Sequence, residues 1–364
     1  MITNRYFYYL IAINALISII IYVPRILLEH RFTGTWSSIL ISVPISIFLI
    51  YAFCKMLAYF PRQGFPELME RFLPRSVGIT VLVLMIGLWY FAGALTLLSF
   101  VDITLRYISL DVPGILIMLG FLIVVFWSCK INTASILYAL ELLLVLTVPL
   151  VLFFIIKAMS TSFFSWDAVI QSLTYSLKWP DLSAIAGATF LFTGYINMVV
   201  FNRVFEKFQA RGSFVIALSG LLLLVVTVIV PIGYHGSVAV DSYVYPWFSL
   251  ADSIRIDLFL VERMVFVFYL IYIALFLIST TVHWHVAQNL TEGLFKFDRN
   301  TRAYKIVSYS TGLVFSAGCL IMLRFNQKQL VDVGEVFLIF RLGAEVLLLI
   351  IMFYMYRKGK KSEA

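Results

Sequence analysis

Five ionisable residues lie within long apolar stretches of this sequence, where a charge is costly unless it has a partner. Arg341 and Glu345 are four residues apart, so on a helix they share one face and can form an ion pair, which could be purely structural. Glu262 and Arg263 are adjacent in another stretch, and we expect both to face the interior of a helix bundle. Glu141 has no charged neighbour in its own stretch, so it is protonated, paired across helices or part of a proton path. These residues form a candidate proton and charge network.

Three short segments interrupt the apolar stretches with groups that could bind a ligand. Pro24 removes a backbone donor and frees a carbonyl one turn earlier, which lipid cannot satisfy. Gly194 lies midway along a later stretch among polar and aromatic residues, where unwound backbone amides could bind a carboxylate. A buried indole or phenol, as at Trp89 and Tyr90, needs a hydrogen-bond partner. The predicted ligand-binding residues are Tyr22, Val23, Pro24, Trp89, Tyr90, Phe192, Thr193, Gly194, Tyr195 and Asn197.

Each of these segments also has a simpler interpretation. Pro24 could merely end the first helix near the outer surface. Gly194, with Gly187, could serve only to let two helices pack closely. Trp89 and Tyr90 could be packing residues. An interruption in corresponding positions of two halves of the chain would favour the ligand-binding interpretation.

No catalytic or metal-binding pattern accompanies these residues. The sequence has no GxSxG, P-loop, HExxH or dinucleotide-binding fingerprint, and its connections between apolar stretches are too short for a catalytic domain. His283 and His285 have no carboxylate at ligand spacing, and Cys54, Cys129 and Cys319 are far apart. We therefore expect no enzyme activity, no metal site, no cofactor and no disulfide framework.

Composition indicates which elements must position these residues. Of 364 residues, 62% are hydrophobic and 13% are charged, whereas soluble domains average about 45–50% apolar and 25% charged residues. A bilayer-spanning helix needs roughly 20 mostly apolar residues, and turn signals delimit ten such stretches. The sequence thus predicts an all-α polytopic membrane protein, with a single membrane domain over residues 1–364. The predicted spans 1 to 10 are residues 7–28, 36–58, 77–101, 112–129, 134–157, 182–204, 213–234, 257–281, 304–323 and 334–356.

Lys and Arg are unevenly distributed between the alternate connections. Seventeen fall on the side that contains both termini, eight fall on the other side, and Arg263 and Arg341 lie inside spans. Because cytoplasmic loops carry the excess of basic residues, we expect both termini in the cytoplasm. The net charge of +8 is then a topology signal, and no nucleic-acid partner is expected. Arg75, Arg203 and Arg211 could bind lipid headgroups or an acidic partner surface, with lipid favoured.

The ten spans divide into two halves of similar length, residues 7–157 and residues 182–356. An odd number of spans in each half gives the halves opposite membrane orientations, which defines an inverted repeat. In such folds the ligand site lies near the membrane midplane, at interrupted helices in corresponding positions. Here the first span of each half carries an interruption, at Pro24 and at Gly194.

Taken together, the pattern resembles the B subunits of bacterial spore germinant receptors, the endospore germination permeases of the amino acid, polyamine and organocation transporter superfamily. The most specific cue is the segment 260–266, Leu-Val-Glu-Arg-Met-Val-Phe, which contains Glu262 and Arg263. Supporting cues are Pro24 followed by Gly34 and Trp36, the inner connection from Tyr59-Phe60-Pro61 to Phe65-Pro66-Glu67-Leu68, and the Phe-Thr-Gly-Tyr run at 192–195.

The resemblance implies a LeuT-type fold of five plus five helices and residence in the spore inner membrane or the bacterial cytoplasmic membrane. It also implies a complex with an A subunit and a lipoprotein C subunit, and a small nutrient ligand, usually an amino acid. One departure concerns span 1, since many transporters of the superfamily have a glycine-rich break where this chain has Tyr22-Val23-Pro24.

Three functions remain open at this point. The chain could be a sensor, in which a nutrient between spans 1, 3, 6, 8 and 10 shifts the populations of two conformations. It could instead be a transporter that couples an amino acid to protons through Glu141 or Glu345. A third hypothesis is a structural assembly subunit with no ligand of its own.

Overall fold

The structure, a computed structural model, describes residues 2–206, 208–209, 212–258, 261–295, 297 and 300–363. Of these, residues 256–258, 261, 262, 362 and 363 are described by their backbone only. Leu260 and the basic residues Lys207, Arg211, Lys296 and Arg299 therefore lie outside the described residues.

Helices make up most of the described chain. In order they are α1 (Arg5–Ser18), α2 (Tyr22–Glu29), α3 (Thr35–Leu57), α4 (Phe65–Phe72), α5 (Arg75–Tyr107), α6 (Gly114–Ser128), α7 (Thr133–Met159), α8 (Trp166–Leu173), α9 (Leu182–Phe190), α10 (Met198–Phe201), α11 (Ser213–His235), α12 (Pro246–Ser253), α13 (Met264–Phe295), α14 (Arg302–Met322) and α15 (Gln327–Glu363). Two short strands, β1 (Arg255–Leu258) and β2 (Val261–Arg263), pair antiparallel before α13.

Seven of these helices are long and apolar enough to cross a membrane within the described ranges, namely α3, α5, α7, α11, α13, α14 and α15. α1 with α2, and α9 with Thr193–Val204, form two further spans that are bent by 55° and 60°. α6 is apolar but shorter, with 15 residues. With α6, these elements match the ten predicted spans in order and confirm the all-α polytopic fold.

The prediction for span 8 is wrong in both of its bounds. The sequence predicts residues 257–281, whereas α13 begins at Met264 and ends at Phe295. The β1–β2 hairpin occupies the chain before Met264, so the helix begins later. The helix also ends later than predicted, because it continues through polar residues such as Gln288 and Asn289. These residues are buried in the protein, and hydropathy does not identify a polar segment as part of a span. His283 consequently lies well inside the helix and not at its inner end.

The centre of the protein is formed where α5 and α13 cross. A Cβ at Gly93 of α5 would lie 2.5 Å from Cδ1 of Trp284 on α13, so the indole of Trp284 packs directly on the backbone of α5 there. α1 packs against α13 and α15 packs against α5, whereas α9 packs against α2, α3 and α15. Many apolar side chains of α6, α7 and α14 are exposed on the outside of the protein. Exposed apolar side chains on long helices are expected where lipid is the solvent. The division into inverted halves, residues 7–157 and residues 182–356, stays a prediction, and it is supported by the broken span that opens each half.

Candidate functional site

The first span breaks between Ser18 and Tyr22, where α1 ends and α2 begins. The carbonyl of Ile19 within this break accepts a hydrogen bond from Oγ1 of Thr227 on α11, at 2.7 Å. Pro24 lies in the first turn of α2, where a helix has no acceptor for its N–H groups, so the missing donor of proline is tolerated. The break therefore precedes Pro24, which begins the second half of the span rather than ending the helix.

The second break follows Phe190, the last residue of α9, and continues as a 3-10 helix from Thr193 to Asn197. Asn14 of α1 donates from Nδ2 to the carbonyls of Phe190 at 2.7 Å and Leu191 at 3.3 Å. Carbonyls at a helix break in the membrane need such partners because lipid supplies none. The interruption predicted at residues 192–197 is thus present, and a polar residue of the first broken span supports it.

Gly194 allows the two broken spans to touch. A Cβ at this position would lie 2.1 Å from the carbonyl oxygen of Leu10 and 2.6 Å from Cα of Ile11, both of which belong to the backbone of α1. No side chain can rotate away to relieve such a contact. The contacts of Gly194 are therefore those of close helix packing, which is one of its two interpretations.

A cavity of about 20 Å³ lies beside the second break, and we refer to it as the Arg341 cavity. It is bounded by α5, α9, the 3-10 helix, α13 and α15. The lining residues are Leu88, Trp89, Ala92, Phe190, Thr193, Ile196, Asn197, His283, Phe337, Arg341, Glu345 and Leu348. The structure therefore brings together five predicted site residues, Trp89, Thr193, Asn197, Arg341 and Glu345.

Arg341 and Glu345 form a buried ion pair on one face of α15, with 2.5 Å between Nη1 and Oε2. Nη2 of Arg341 donates to the carbonyl of Ala186 at 2.6 Å and to Oγ1 of Thr189 at 3.0 Å, so the pair also holds α9. Tyr195 donates its hydroxyl to Oε1 of Glu345 at 2.5 Å. Nε of Arg341 is buried and has no hydrogen-bond partner among the described residues. A donor in this state is a candidate for binding an acceptor atom of a ligand or a water.

Trp89 has the hydrogen-bond partner that a buried indole requires. Its Nε1 donates to Oδ1 of Asn197 at 2.7 Å, and Nδ2 of Asn197 donates to the carbonyl of Gly194 at 3.1 Å. This link joins α5 to the 3-10 segment of the second broken span. Two residues predicted separately as site residues therefore form one structural unit.

A second cavity of about 20 Å³, the Tyr22 cavity, adjoins the first and shares Ala92, Phe190, His283 and Phe337 with it. Tyr22 and Val23 line this cavity. The hydroxyl of Tyr22 accepts a hydrogen bond from Oγ of Ser99 at 2.8 Å.

His283 lies between the two cavities and is 8% exposed. Its Nδ1 is 2.7 Å from the carbonyl oxygen of Ser279, and because a carbonyl only accepts, Nδ1 carries the proton. In neutral His283, Nε2 is then an acceptor, and no described residue is within hydrogen-bonding distance of it. His283 thus supplies an acceptor to the same cavity to which Arg341 supplies a donor.

Sequence reasoning missed Asn14 and His283 as site residues. Asn14 is a single amide in an apolar span, and His283 lies beyond the predicted end of span 8, where its pairing with His285 suggests only a metal ligand. The signal that identifies both is a polar residue inside an apolar stretch, which is expensive and therefore functional or partnered.

Five predicted ligand-binding residues do not line either cavity. Tyr90 packs against Phe315 with 4.8 Å between the ring centroids, on the α14 side of α5. Phe192 packs against Gly220 of α11. Tyr195 contacts the site indirectly, through its hydrogen bond to Glu345, and Gly194 packs against the backbone of α1. Pro24 is buried in α2 and lines neither cavity.

Glu141 is paired across helices, one of the three possibilities for it. Arg5 Nη2 is 2.9 Å from its Oε1, and the Tyr6 hydroxyl donates to its Oε2 at 2.6 Å. This cluster joins the start of α1 to the start of α7 and includes no residue of the two cavities. Glu141 is therefore separate from the candidate ligand site.

The expectation that Arg263 faces the bundle interior is wrong. Arg263 ends strand β2, its side chain is 50% exposed, and it forms an ion pair with Asp252. Hydropathy assigns this segment to a span because Met264 and the following residues are apolar, but the helix begins only after Arg263. Glu262 lies in the same strand, and its side chain is outside the described part of the chain.

Comparisons with known proteins give a family and a fold. Residues 1–330 match the family model Spore_permease, described as a spore germination protein. The structure is similar to that of Mhp1, a nucleobase-cation-symport-1 family transporter in a closed conformation with bromovinylhydantoin bound. The TM-score is 0.55 at 13% identity, and the match covers 95% of this chain and 76% of that chain. A comparison with curated proteins gives no match. The fold is thus LeuT-type, and the match is to a transporter-type integral membrane protein and not to an enzyme.

Proposed function

Because this chain belongs to the Spore_permease family of spore germination proteins, we propose that it is the transporter-like membrane subunit of a nutrient germinant receptor. In this proposal a small nutrient binds in the joined Arg341 and Tyr22 cavities and thereby signals spore germination. The observation that carries the proposal is a pair of adjoining cavities at the two broken spans. The first broken span lines the Tyr22 cavity, and the second lines the Arg341 cavity with Arg341, whose buried Nε has no hydrogen-bond partner among the described residues.

The charges of the cavities favour a ligand without net charge. Among the described residues that line them, Arg341 and Glu345 carry the formal charges, and these two neutralise each other. A ligand with a net charge would add an unpaired charge in a medium of low dielectric constant, which is costly. A zwitterionic amino acid or a neutral polar nutrient avoids this cost. Such a ligand could accept from Nε of Arg341 and donate to Nε2 of His283.

The size of the cavities favours a sensing mechanism that involves movement. A cavity of about 20 Å³ holds about one water, whereas small-molecule sites measure roughly 300–1,000 Å³. A nutrient therefore needs the broken spans to move apart from α5, α13 and α15. A ligand that binds only this more open arrangement shifts the population toward it, and a partner subunit can detect the change.

The experiment is equilibrium binding of radiolabelled amino acids to the purified chain, together with uptake into proteoliposomes with and without a proton gradient. Saturable binding without uptake supports the sensor. Glu345→Gln leaves the charge of Arg341 uncompensated, so the ligand preference of this variant should shift toward anionic compounds. Glu70→Gln is the control, because Glu70 lines neither cavity, and it should leave the ligand preference unchanged. Absence of both binding and uptake for neutral, zwitterionic and anionic nutrients would contradict the proposal and favour a structural assembly subunit.

A proton-coupled amino acid permease is the second candidate, and His283 favours it. An acceptor nitrogen in the same cavity as a buried Glu345 could exchange a proton with a ligand or with water there. Saturable uptake driven by a proton gradient, and lost in His283→Gln, would establish this candidate in place of the sensor.

The further elements of the proposal follow from family membership. We propose a complex with the A and C subunits of a germinant receptor, in the spore inner membrane or the cytoplasmic membrane, with both termini in the cytoplasm. The excess of basic residues on the side of the termini supports this orientation. Co-purification of tagged A and C subunits tests the complex, and labelling of single cysteines introduced at the termini tests the orientation.

A further inference from the structure

A polar cavity of about 440 Å³ lies at the face that contains the α6–α7 connection and the inner ends of α13 and α14. By the distribution of basic residues, this face is the predicted cytoplasmic one. The cavity is far larger than the Arg341 cavity and shares no residue with it. The residues that line this polar cavity are Cys129, Lys130, Ile131, Asn132, Thr133, His285, Gln288, Asn289, Glu292, Tyr304, Lys305, Ser308 and Tyr309.

Lys130 supplies a fixed cation to the polar cavity. Its ammonium lies 4.0 Å from the ring centroid of Phe126 and 3.8 Å from that of Tyr309, and it donates to the carbonyl of Ser308 at 3.3 Å. No described carboxylate lies within ion-pair distance of it. The carbonyl of Ser308 and the two rings contact this ammonium without neutralising its charge. Partial burial lowers the pKa of Lys130, and an anion beside it would oppose that effect.

The other polar groups of the cavity are already engaged or add positive charge. Glu292 accepts hydrogen bonds from the Tyr304 hydroxyl at 2.7 Å and from Nε2 of Gln288 at 3.0 Å. Both ring nitrogens of His285 have partners, with Nδ1 2.8 Å from the carbonyl of Cys129. Lys305 contributes a second ammonium. The cavity therefore offers more cationic than anionic groups to an incoming molecule.

An apolar groove of about 230 Å³ continues from the polar cavity toward the middle of the spans. Ile131 lines both of them. On α13 the groove extends from Thr281 back to Ala274, a length of about 10 Å at 1.5 Å per residue. Val124 and Ile131 are 46% and 48% exposed, so the groove is open on the outer side of the helices. The residues of this groove are Val124, Ser128, Ile131, Ser135, Ile136, Ala139, Leu143, Ala274, Leu277, Ile278 and Thr281.

We propose that the polar cavity and the apolar groove together bind one anionic phospholipid from the bilayer leaflet at this face. The phosphate contacts the ammonium of Lys130, with Lys305 nearby, and one acyl chain occupies the groove. A basic pocket between membrane helices on the cytoplasmic side has the chemistry that recognises anionic headgroups. The continuous apolar groove favours a lipid over a soluble anion, because a soluble anion has no acyl chain that could occupy the groove. This site is independent of the nutrient site.

The test is native mass spectrometry of the delipidated full chain, titrated with phosphatidylglycerol or with phosphatidylcholine of the same acyl chains. Wild type should bind phosphatidylglycerol more tightly than phosphatidylcholine. Lys130→Gln should weaken phosphatidylglycerol binding about fivefold, the change expected for one lysine near an anionic surface, whereas Lys130→Arg should retain it. Lys55→Gln is the matched control, because Lys55 also lies near a ring, 5.4 Å from the Tyr51 centroid, but lines neither the cavity nor the groove.

The acyl-chain part of the proposal has its own variant. Ala139→Phe fills the groove and should weaken binding of phosphatidylglycerol, whereas Leu142→Phe, at a side chain 62% exposed outside the groove, should not. Equal binding of the two lipids by wild type, or no effect of Lys130→Gln, would overturn the proposal. Binding of inorganic phosphate that depends on Lys130, combined with no effect of Ala139→Phe, would overturn it in favour of a soluble anion.

Discussion

Asn14 donates from Nδ2 to the carbonyl of Phe190 at 2.7 Å, so the first broken span holds the end of the helix that precedes the break in the second. Asn14 is 4% exposed and also bonds Oγ1 of Thr193 at 3.2 Å. Gly194 brings the same two spans into backbone contact. The two interruptions are therefore coupled, and a movement of one changes the hydrogen bonds of the other.

Asn14→Leu should destabilise the protein by about 1–3 kcal/mol, because carbonyls at the break lose their donor in a medium that offers no other. Unfolding of the purified chain in detergent by heat or denaturant measures this. Ile13→Leu, a volume-conserving change at the neighbouring buried residue, is the control. Equal stability of the two variants would show that the Asn14 bonds contribute nothing to stability.

Gly194→Ala should cost about 1–3 kcal/mol or more, since the new methyl group meets the backbone of α1 at Leu10. The matched control is Gly343→Ala in α15, where a Cβ meets nothing within 4 Å. In a helix that control should be neutral or stabilising by up to about 1 kcal/mol. Thermal unfolding of both variants in the same detergent measures the difference, and Gly194→Leu should in addition abolish any nutrient response. A Gly194→Ala protein as stable as Gly343→Ala would contradict the close contact.

Removing one partner of the Arg341–Glu345 pair should be worse than removing both. Arg341→Met or Glu345→Leu alone leaves a buried charge and should destabilise by about 3–5 kcal/mol. The double variant removes both charges, so its loss should be smaller than the sum of the single losses. A double-mutant cycle in detergent measures the coupling energy. Strictly additive losses would show that the two charges do not interact.

Glu141→Gln should impair function more than Glu141→Asp. Asp keeps the negative charge opposite Arg5, whereas Gln loses it, and both retain an acceptor for the Tyr6 hydroxyl. Ligand binding and uptake by the reconstituted variants measure the effect, with Tyr6→Phe separating the hydrogen bond from the charge. Wild-type behaviour of both Glu141 variants would assign this cluster a structural role alone.

Asp181, which caps the N-terminus of α9, should make stability depend on pH in the acid range. Partial burial opposes its charged form, but hydrogen bonds from the side chain and backbone of Ser183 outweigh this and lower the pKa of Asp181. Because the folded state has the lower pKa, this contribution is present above the pKa of the unfolded chain, about 3.9, and is lost as pH falls through the folded pKa. The free energy of unfolding, measured from about pH 6 down to about pH 3, should fall more in wild type than in Asp181→Asn. Parallel curves would contradict the prediction.

The sequence by itself determined the class of protein and the order of its spans. Hydropathy is a property of each stretch alone, since a helix that crosses lipid must be apolar over its own length. The interruptions near Pro24 and Gly194 and the i, i+4 pair of Arg341 and Glu345 could be predicted for the same reason, because each depends on neighbours along one helix. Span 8 is the exception, since α13 continues through polar residues that other helices bury, and hydropathy does not detect this.

Only the tertiary structure decided which of these groups meet. Trp89 and Asn197 are far apart in sequence, and so are Asn14 and Phe190, yet each pair shares a hydrogen bond. Nothing in a single apolar stretch encodes which face packs against which helix, and lipid and protein neighbours are equally apolar. The structure therefore assigned His283 to the central cavities and Arg263 to the exterior, because these positions depend on helix rotation and packing and not on local composition.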